Sequence, residues 1–188
     1  NVLSFGDDES SDVRISTVKV LGNFTNSTII DQKQNLWNVK LKTAGKHYMK
    51  NAAALLTLVS SLNLDLSKAI LALQSWSPLA GRGQVLEVKL KASNFNEAIH
   101  LIDESYNANP SSVKSSLETL ACIFTNKKGK VEHIRRIAVL GDMLELGFSE
   151  IQEHVNISKF ARLDKIDKVY CVGSVSYTHL RAHETIAD

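Results

Sequence analysis

A short polar segment between residues 103 and 110 carries the side chains best suited to bind a ligand. It contains two carboxylates and two amides, in the order Asp103-Glu104-Ser105-Tyr106-Asn107-Ala108-Asn109-Pro110. An apolar run typical of a strand precedes it, and a helical pattern follows. Asn109 is suited to cap that helix, and Pro110 to occupy its first turn, where a missing N–H costs nothing. The pattern predicts a ligand-binding loop, although a plain solvated loop could have the same composition.

A second polar loop is bounded by Gly141 and Gly147, which favour a tight, structured turn. Its carboxylates, Asp142 and Glu145, could receive an ammonium group of a substrate or remain solvated. The loop follows another strand-like apolar run, as the first polar segment does. Both loops are therefore candidates for the same site.

Strand-like and helical patterns alternate through the second half of the chain. The apolar runs are residues 99–102, 137–140 and 169–172, and the helical stretches are 110–126 and 150–163. Such alternation predicts a parallel sheet. With right-handed crossovers the three strands end at one edge, which is where open parallel sheets bind ligands. We therefore expect the two polar loops to form one substrate site.

Two predictions about the helical stretch 150–163 follow from nearby residues. Ser149 with Gln152 three residues later has the spacing of a capping box at the helix start. His154 lies in the middle of the helix and is expected at its surface. We expect no helix after Gly173, because the residues that follow it have no suitable helical pattern.

The first half of the chain has a different texture. Alternating apolar residues between 13 and 41 predict an antiparallel meander, and helices are expected from about 47 to 62 and from 67 to 74. His47 and Asn51 lie one turn apart at the first helix start, where they could contact a ligand or serve as capping and core residues. Arg82, between Gly81 and Gly83, is suited to bind phosphate or carboxylate, although a lone linker arginine is often solvated.

Composition excludes several classes of function. The formal net charge of +2 is too small to indicate a nucleic-acid surface. No apolar run approaches the length of about 20 residues that a membrane span needs, and no secretion signal opens the chain, so a cytoplasmic location is expected. The sequence contains no Gly-x-x-x-x-Gly-Lys-Ser/Thr loop to hold nucleotide phosphates. Because the first residue is Asn1, we expect a fragment of a longer protein.

Four motifs in a consistent order resemble one family, the Mur ligases. They are residues 102–110, residues 138–147 followed by His154, residues 45–52, and the pair Gly81-Arg82. The first two resemble most closely the members that add D-alanyl-D-alanine. The resemblance covers residues 1–173 and implies an α/β protein. Residues 1–82 would form the end of a central ATPase domain with antiparallel strands plus helices, and residues 83–173 a truncated Rossmann-like C-terminal domain with a parallel sheet.

The resemblance also implies an activity for the full-length parent. ATP and Mg²⁺ would be used to phosphorylate the carboxylate of a UDP-N-acetylmuramoyl tripeptide, and the amine of D-alanyl-D-alanine would then attack the acyl phosphate. The parent would be a monomeric, cytoplasmic bacterial enzyme of peptidoglycan synthesis. The main ATP and Mg²⁺ ligands would lie outside this chain, which we expect to be inactive alone.

Residue roles follow from matched positions in these motifs. Asn51 would contact adenine with His47 beside it, Arg82 would bind a nucleotide phosphate or ribose, and Glu104 would accept from the ribose hydroxyls. The acceptor side would be formed by a further set of polar residues: Tyr106, Asn107, Asn109, Asp142 and Glu145. Two positions depart from the usual family pattern. Tyr48 stands where Asn is common, and Glu104 where Asp is common.

Residues 174–188 fit the family pattern poorly, and we predict that this tail is not native. Two alternatives to the main interpretation remain open. One is a ligase of the same superfamily with another acceptor, such as another Mur ligase or a folylpolyglutamate-type enzyme. The other is a non-catalytic Rossmann-like binding domain.

Overall fold

The computed structural model of the chain describes residues 2–89, 98–123, 126–127, 130–131 and 134–179. The chain divides into two compact units. Unit one comprises residues 1–79 and 84–101, and unit two comprises residues 80–83 and 102–188. In the described part of the chain, no helix is long and apolar enough to cross a membrane.

Unit one is built on a sheet centred on a long strand, β4. The strands are β1 (Phe5–Gly6), β2 (Val13–Ile15), β3 (Lys19–Leu21), β4 (Phe24–Ile30) and β5 (Leu36–Leu41). Strands β2 and β3 pair antiparallel with successive parts of β4, and β5 pairs antiparallel with all but the first residue of β4. Strand β1 adds to β2 in parallel. The predicted antiparallel meander is confirmed for β3, β4 and β5, whereas β2 pairs with β4 and not with the next strand in sequence.

Two helices complete the core of unit one, α1 (Lys46–Ser61) and α2 (Leu66–Ser75). In β4 and β5 every second residue is buried and the residues between are more accessible, so one set of side chains can meet the helix. The side chains of α1 and of β2, β4 and β5 form one buried cluster: Val13, Ile15, Ile29, Trp37, Val39, Leu41, Tyr48, Met49, Ala52, Ala53 and Leu56. Helix α2 begins at the cap Asp65, whose carboxylate accepts from the Lys68 N–H at 3.1 Å.

Two further strands lead from unit one into unit two. Strand β6 (Gln84–Lys89) pairs with β7 (Ala98–Asp103) in a two-stranded sheet. The prediction that β7 shares a parallel sheet with the two later strands is therefore wrong for the described residues. Strand β7 pairs instead with its neighbour in sequence, which is the common choice for consecutive strands. The alternation of residues 85–90 in the sequence also predicts a strand, and the structure has one as far as Lys89. Residue 90 lies outside the described residues.

Unit two contains a parallel pair of strands and the helices around it. Helix α3 (Pro110–Cys122) is followed by β8 (Asn126–Lys127), β9 (Lys130–Val131), β10 (Ile137–Gly141), α4 (Glu150–Ser158), β11 (Lys168–Val172) and α5 (Ser174–His179). Strands β10 and β11 pair in parallel, as predicted, with Val139 opposite Tyr170. The buried core of unit two consists of Leu117, Ala138, Met143, Ile157, Leu163 and Ile166.

Helix α3 ends earlier than the pattern predicts. It stops at Cys122 and not at residue 126, and Ile123 already has an extended backbone. Arg136 provides the reason, since its guanidinium donates to the carbonyl of Leu120 at 3.0 Å and to that of Ile123 at 2.9 Å. A cation that satisfies the last carbonyls is a favourable helix terminus.

Three predictions about the later helices need correction. Ser149 does not cap α4, because it continues a 3₁₀ turn, Gly147–Ser149, and its hydroxyl donates to the Leu146 carbonyl at 2.8 Å. Helix α4 ends at Ser158, and the remainder of the predicted stretch forms a separate 3₁₀ turn, Ala161–Lys165. The prediction of no helix after Gly173 is wrong, since Ser174–His179 forms a helix. The non-native origin of residues 174–188 stays a prediction.

Candidate functional site

Asp103 organises the polar loop after β7. One carboxylate oxygen accepts from the Gly81 N–H at 3.0 Å, and the other from the Ser105 N–H at 3.1 Å and the Ser105 hydroxyl at 2.6 Å. These hydrogen bonds, first the one from the Ser105 hydroxyl, lower the pKa of Asp103. The backbone adds two more links, from the Gly83 N–H to the Asp103 carbonyl and from the Tyr106 N–H to the Gly81 carbonyl. The turn at residues 80–83 and the polar loop are thus one folded element.

Arg82 and Tyr106 face one another across this element. The guanidinium carbon of Arg82 lies 4.0 Å from the centre of the Tyr106 ring, within cation–π range. Gly81 lies close to the same tyrosine and has φ +74°. A side-chain carbon at position 81 would lie 2.9 Å from the Tyr106 Cβ, so only glycine fits there. The structure therefore brings two of the predicted site residues together.

Glu104 is the partly buried carboxylate of the site. Burial is the main reason that its pKa is raised, and the neighbouring charge of Asp103 acts in the same direction. A hydrogen bond with the Ser116 hydroxyl in α3 partly offsets these effects. That hydroxyl also lies 2.9 Å from the Ser112 carbonyl, and its one proton can serve only one of the two acceptors. Glu104 is therefore a carboxylate with room for further hydrogen-bond donors.

Asn109 caps α3, as the sequence predicts. Its side-chain oxygen accepts from the Ser112 N–H at 2.9 Å, and the Ser112 hydroxyl accepts from the Asn109 N–H at 3.0 Å. Pro110 occupies the first turn. The Asn107 side chain accepts from the Ala108 N–H at 2.9 Å and is exposed. A structural role is thus established for Asn109, while the substrate contacts of both amides stay predictions.

The loop from Gly141 to Gly147 is held by a buried histidine. His154 is fully buried, so the prediction of a surface position is wrong. Its Nε2 accepts from the Met143 N–H at 3.0 Å, which leaves the ring proton on Nδ1 to donate to the Glu150 carbonyl at 2.8 Å. Both ring nitrogens are thus satisfied inside the protein. The spacing of His154 from the loop is the one signal in the sequence that could have indicated this contact.

Asp142 points its carboxylate at the start of α5. The two oxygens accept from the Ser176 N–H at 2.6 Å and the Val175 N–H at 3.3 Å, and the first of these bonds is the main cause of a lowered pKa. A side-chain carbon at Gly173 would collide with this carboxylate. Asp142 therefore has a capping role that sequence reasoning missed. Its predicted contact with a substrate ammonium group stays a prediction.

Glu145 is exposed and has φ +61°, a conformation that non-glycine residues rarely adopt. Backbone strain of this kind is common in functional loops but does not by itself identify one. The role of Glu145 at the acceptor side stays a prediction.

His47 and Asn51 lie in the first turns of α1 and belong to unit one. Their spacing places them on one side of the helix, as predicted. Thr25 holds the preceding loop, because its hydroxyl donates to the Thr43 carbonyl at 2.7 Å and accepts from the Gly45 N–H at 3.0 Å. Asn51 is exposed and His47 is partly buried. Their ligand contacts stay predictions.

Tyr48 stands at the position where the family pattern commonly has Asn. Its side chain is 9% exposed and belongs to the core cluster of unit one. The ring centre lies 5.5 Å from that of Trp76 and 3.9 Å from that of His47. Tyr48 therefore supports the start of α1 by packing.

Comparison with known proteins identifies the relatives of the chain. The family described as Mur ligase, glutamate ligase domain, matches residues 86–187. A UDP-N-acetylmuramoyl-tripeptide--D-alanyl-D-alanine ligase of Mycobacterium tuberculosis is 31% identical over 146 residues, which are 75% of this chain and 26% of that protein. The enzyme of the same name in Escherichia coli K12 is 30% identical over 170 residues, 89% of this chain and 33% of that protein.

A solved structure gives the same answer for the fold. The crystal structure of MurF ligase from Thermotoga maritima in complex with ADP matches with a TM-score of 0.75 and 25% identity, over 95% of this chain and 37% of that one. The chain thus spans about a quarter to a third of the length of the relatives it matches. The resemblance noted in the sequence is confirmed, and because the family match covers more than half of the residues, this chain belongs to the Mur ligase family.

Proposed function

We propose that this chain is part of an ATP-dependent ligase that joins D-alanyl-D-alanine to a UDP-N-acetylmuramoyl tripeptide. The observation that carries the proposal is the alignment of most of the chain with ligases of that name in two distant bacteria. The two polar motifs that suggested these members lie within unit two. Because ATP is consumed, we assign the reaction to the bacterial cytoplasm.

The proposed reaction has two steps. The terminal carboxylate of the tripeptide attacks the γ-phosphorus of ATP, which forms an acyl phosphate and releases ADP. The free amine of D-alanyl-D-alanine then attacks the acyl carbon, the phosphate leaves, and the amine loses a proton. The products are an amide, ADP and phosphate.

The chain's own residues would bind the nucleotide and support the acceptor. Arg82 would pair with a phosphate through its guanidinium, and Glu104 would accept hydrogen bonds from two ribose hydroxyls. The raised pKa of Glu104 supports this role, because a half-buried carboxylate gains much from added donors. Asn51, with His47, would contact the adenine edge.

Magnesium is part of the proposed reaction, and it would neutralise charge on the phosphates. Among the described residues, no three His, Cys, Asp or Glu side chains are grouped so that they could hold a metal ion. We therefore assign no metal ligand among the described residues.

A chimera tests the proposed function directly. The segment of the Escherichia coli ligase that aligns with this chain would be replaced by the chain, and phosphate release would be followed with ATP, tripeptide and one of several acceptors. We expect release to depend on D-alanyl-D-alanine. We further expect Glu104→Gln to raise the KM for ATP by about tenfold, since one good hydrogen-bonded contact is worth about 1–2 kcal/mol.

The unmodified Escherichia coli enzyme is the positive control, and L-glutamate is the competing acceptor that a folylpolyglutamate-type ligase would use. A folded chimera that released phosphate with L-glutamate and not with D-alanyl-D-alanine would contradict the proposal. A chimera that bound ADP but used neither acceptor would favour a non-catalytic binding domain.

A further inference from the structure

We propose that Asp103 is a positioning residue, which fixes the Arg82 guanidinium against Tyr106 by tying the turn at residues 80–83 to the polar loop. Asp103 is not itself expected to touch the nucleotide. The relevance of Arg82 to nucleotide binding rests on the proposed function, but its position does not.

The two carboxylate oxygens of Asp103 bind different segments of the chain. One accepts from the Gly81 N–H, and the other accepts from the N–H and hydroxyl of Ser105. Gly81 and Ser105 are 24 positions apart in the sequence, so this single side chain joins two distant segments. An asparagine has only one oxygen and could not serve both segments.

Two backbone hydrogen bonds reinforce this link between the turn and the polar loop. The Gly83 N–H donates to the Asp103 carbonyl at 2.8 Å, and the Tyr106 N–H donates to the Gly81 carbonyl at 3.0 Å. Arg82 lies between the two glycines that make these bonds. Its backbone is therefore held on both sides by the polar loop.

This arrangement brings the turn at residues 80–83 into close contact with Tyr106. Gly81 approaches Tyr106 so closely that a side-chain carbon would meet its Cβ at 2.9 Å, and the Arg82 guanidinium lies over the ring at 4.0 Å. A long, exposed arginine otherwise samples many rotamers, at a cost in entropy when it binds. Holding it on the ring beforehand reduces that cost.

Nuclear magnetic resonance of the 188-residue chain tests the position of Arg82 without any ligand. Protons over an aromatic face are shifted upfield, so the Arg82 Hε resonance should lie upfield in the unchanged chain. The Tyr106→Leu variant, which lacks the ring, gives the reference value of the Arg82 Hε chemical shift. We expect Asp103→Asn to lose most of the upfield displacement.

The matched control is Asp31→Asn. Asp31 accepts from the Lys33 and Asn35 N–H groups at 2.9 and 2.8 Å, so it is also a carboxylate that organises a turn, but it belongs to unit one. This variant should leave the Arg82 resonance unchanged. An Arg82 resonance that kept its full shift in Asp103→Asn would overturn the proposal.

If Asp103→Asn does not fold, two measurements on the unchanged chain still test the positioning role of Asp103. The Gly81 N–H should exchange slowly with solvent because Asp103 accepts from it, and the Arg82 Hε shift should differ from that of Tyr106→Leu. Fast exchange at Gly81, or identical Hε shifts in these two proteins, would reject the positioning role.

Titration with ADP separates this proposal from the proposed function. We expect ADP to move the Arg82 resonance in the unchanged chain, with at least tenfold weaker apparent affinity in Asp103→Asn. Equal affinity in both proteins would contradict a positioning role toward nucleotide. If ADP did not change the Arg82 Hε shift in the unchanged chain, the proposed role of Arg82 in nucleotide binding would be rejected. The Hε shifts measured without ligand would still test the position of Arg82.

Discussion

At the scale of single residues, Glu104 and Asp103 show how neighbouring carboxylates can acquire opposite properties. Hydrogen bonds from Ser105 lower the pKa of Asp103, whereas burial raises that of Glu104. Asp103 is therefore a stable hydrogen-bond acceptor within the fold. Glu104 is a carboxylate that the fold tolerates at a cost and that a ligand with hydroxyl groups could stabilise.

This difference predicts a pH-dependent effect of Glu104→Gln. The folded-state pKa of Glu104 lies above its unfolded value, so ionised Glu104 destabilises the folded protein at neutral pH. That penalty is absent in acid below the unfolded pKa, where the carboxyl is protonated in both states. Glu104→Gln should therefore stabilise unit two at neutral pH more than in acid, as measured by urea unfolding followed at resonances of unit two.

The control for this experiment is Glu87→Gln, which changes an exposed carboxylate on β6. A Glu104→Gln variant that was less stable than the unchanged chain at neutral pH would show that Glu104 stabilises the fold.

His154 gives a second prediction at this scale. Replacing it by alanine would leave the Met143 N–H without its acceptor and open a cavity in the core of unit two. An unsatisfied buried donor alone costs about 1–3 kcal/mol, so we expect a loss of at least that size in the free energy of unfolding. His100→Ala, at an exposed position of β7, should change it by less than about 0.5 kcal/mol. Similar losses in the free energy of unfolding for the two variants would contradict the role of His154 in holding the 141–147 loop.

At the scale of elements, the capped start of α3 combines structure and proposed function in one residue. Asn109→Ala should destabilise the chain by about 1 kcal/mol because the cap is lost. Asn109→Ser keeps a capping oxygen and should be nearly as stable as the unchanged chain, but it lacks an amide. If Asn109 also contacts the acceptor, the serine variant of the chimera should show a raised KM for D-alanyl-D-alanine. An unchanged KM would limit Asn109 to capping.

The elements that could be predicted from sequence are those that depend on nearby residues. Asn109 and Pro110 are adjacent and define a helix start by themselves, and the alternation in β4 and β5 predicts their pairing. The contacts that could not be predicted join residues far apart. Asp103 accepts from Gly81, 22 positions away, and His154 is buried because the Met143 N–H, 11 positions away, lies against it.

Helix ends follow the same rule. The periodicity of α3 continues beyond Cys122, but the guanidinium of Arg136 donates to the carbonyls of Leu120 and Ile123, and Ile123 has an extended backbone. Strand β7 has the composition of a parallel strand, yet it pairs with β6. Both outcomes depend on competing partners, which a local pattern does not contain.

At the scale of the whole molecule, the chain covers about a quarter to a third of its relatives. Its sequence has no Gly-x-x-x-x-Gly-Lys-Ser/Thr motif, so it lacks the backbone cradle and lysine that support phosphoryl transfer in many ATP-using enzymes. We therefore predict that the purified chain forms no amide from ATP, tripeptide and D-alanyl-D-alanine. Product formation above the rate without protein would contradict this prediction.

The most direct test of the central claim is the product formed by the Escherichia coli chimera. Mass spectrometry of a reaction with ATP, the UDP-N-acetylmuramoyl tripeptide and D-alanyl-D-alanine should detect the tripeptide extended by the intact dipeptide, with one ADP released for each product. A folded chimera that bound ADP and extended the tripeptide with a different amine, or left it unextended, would contradict the account.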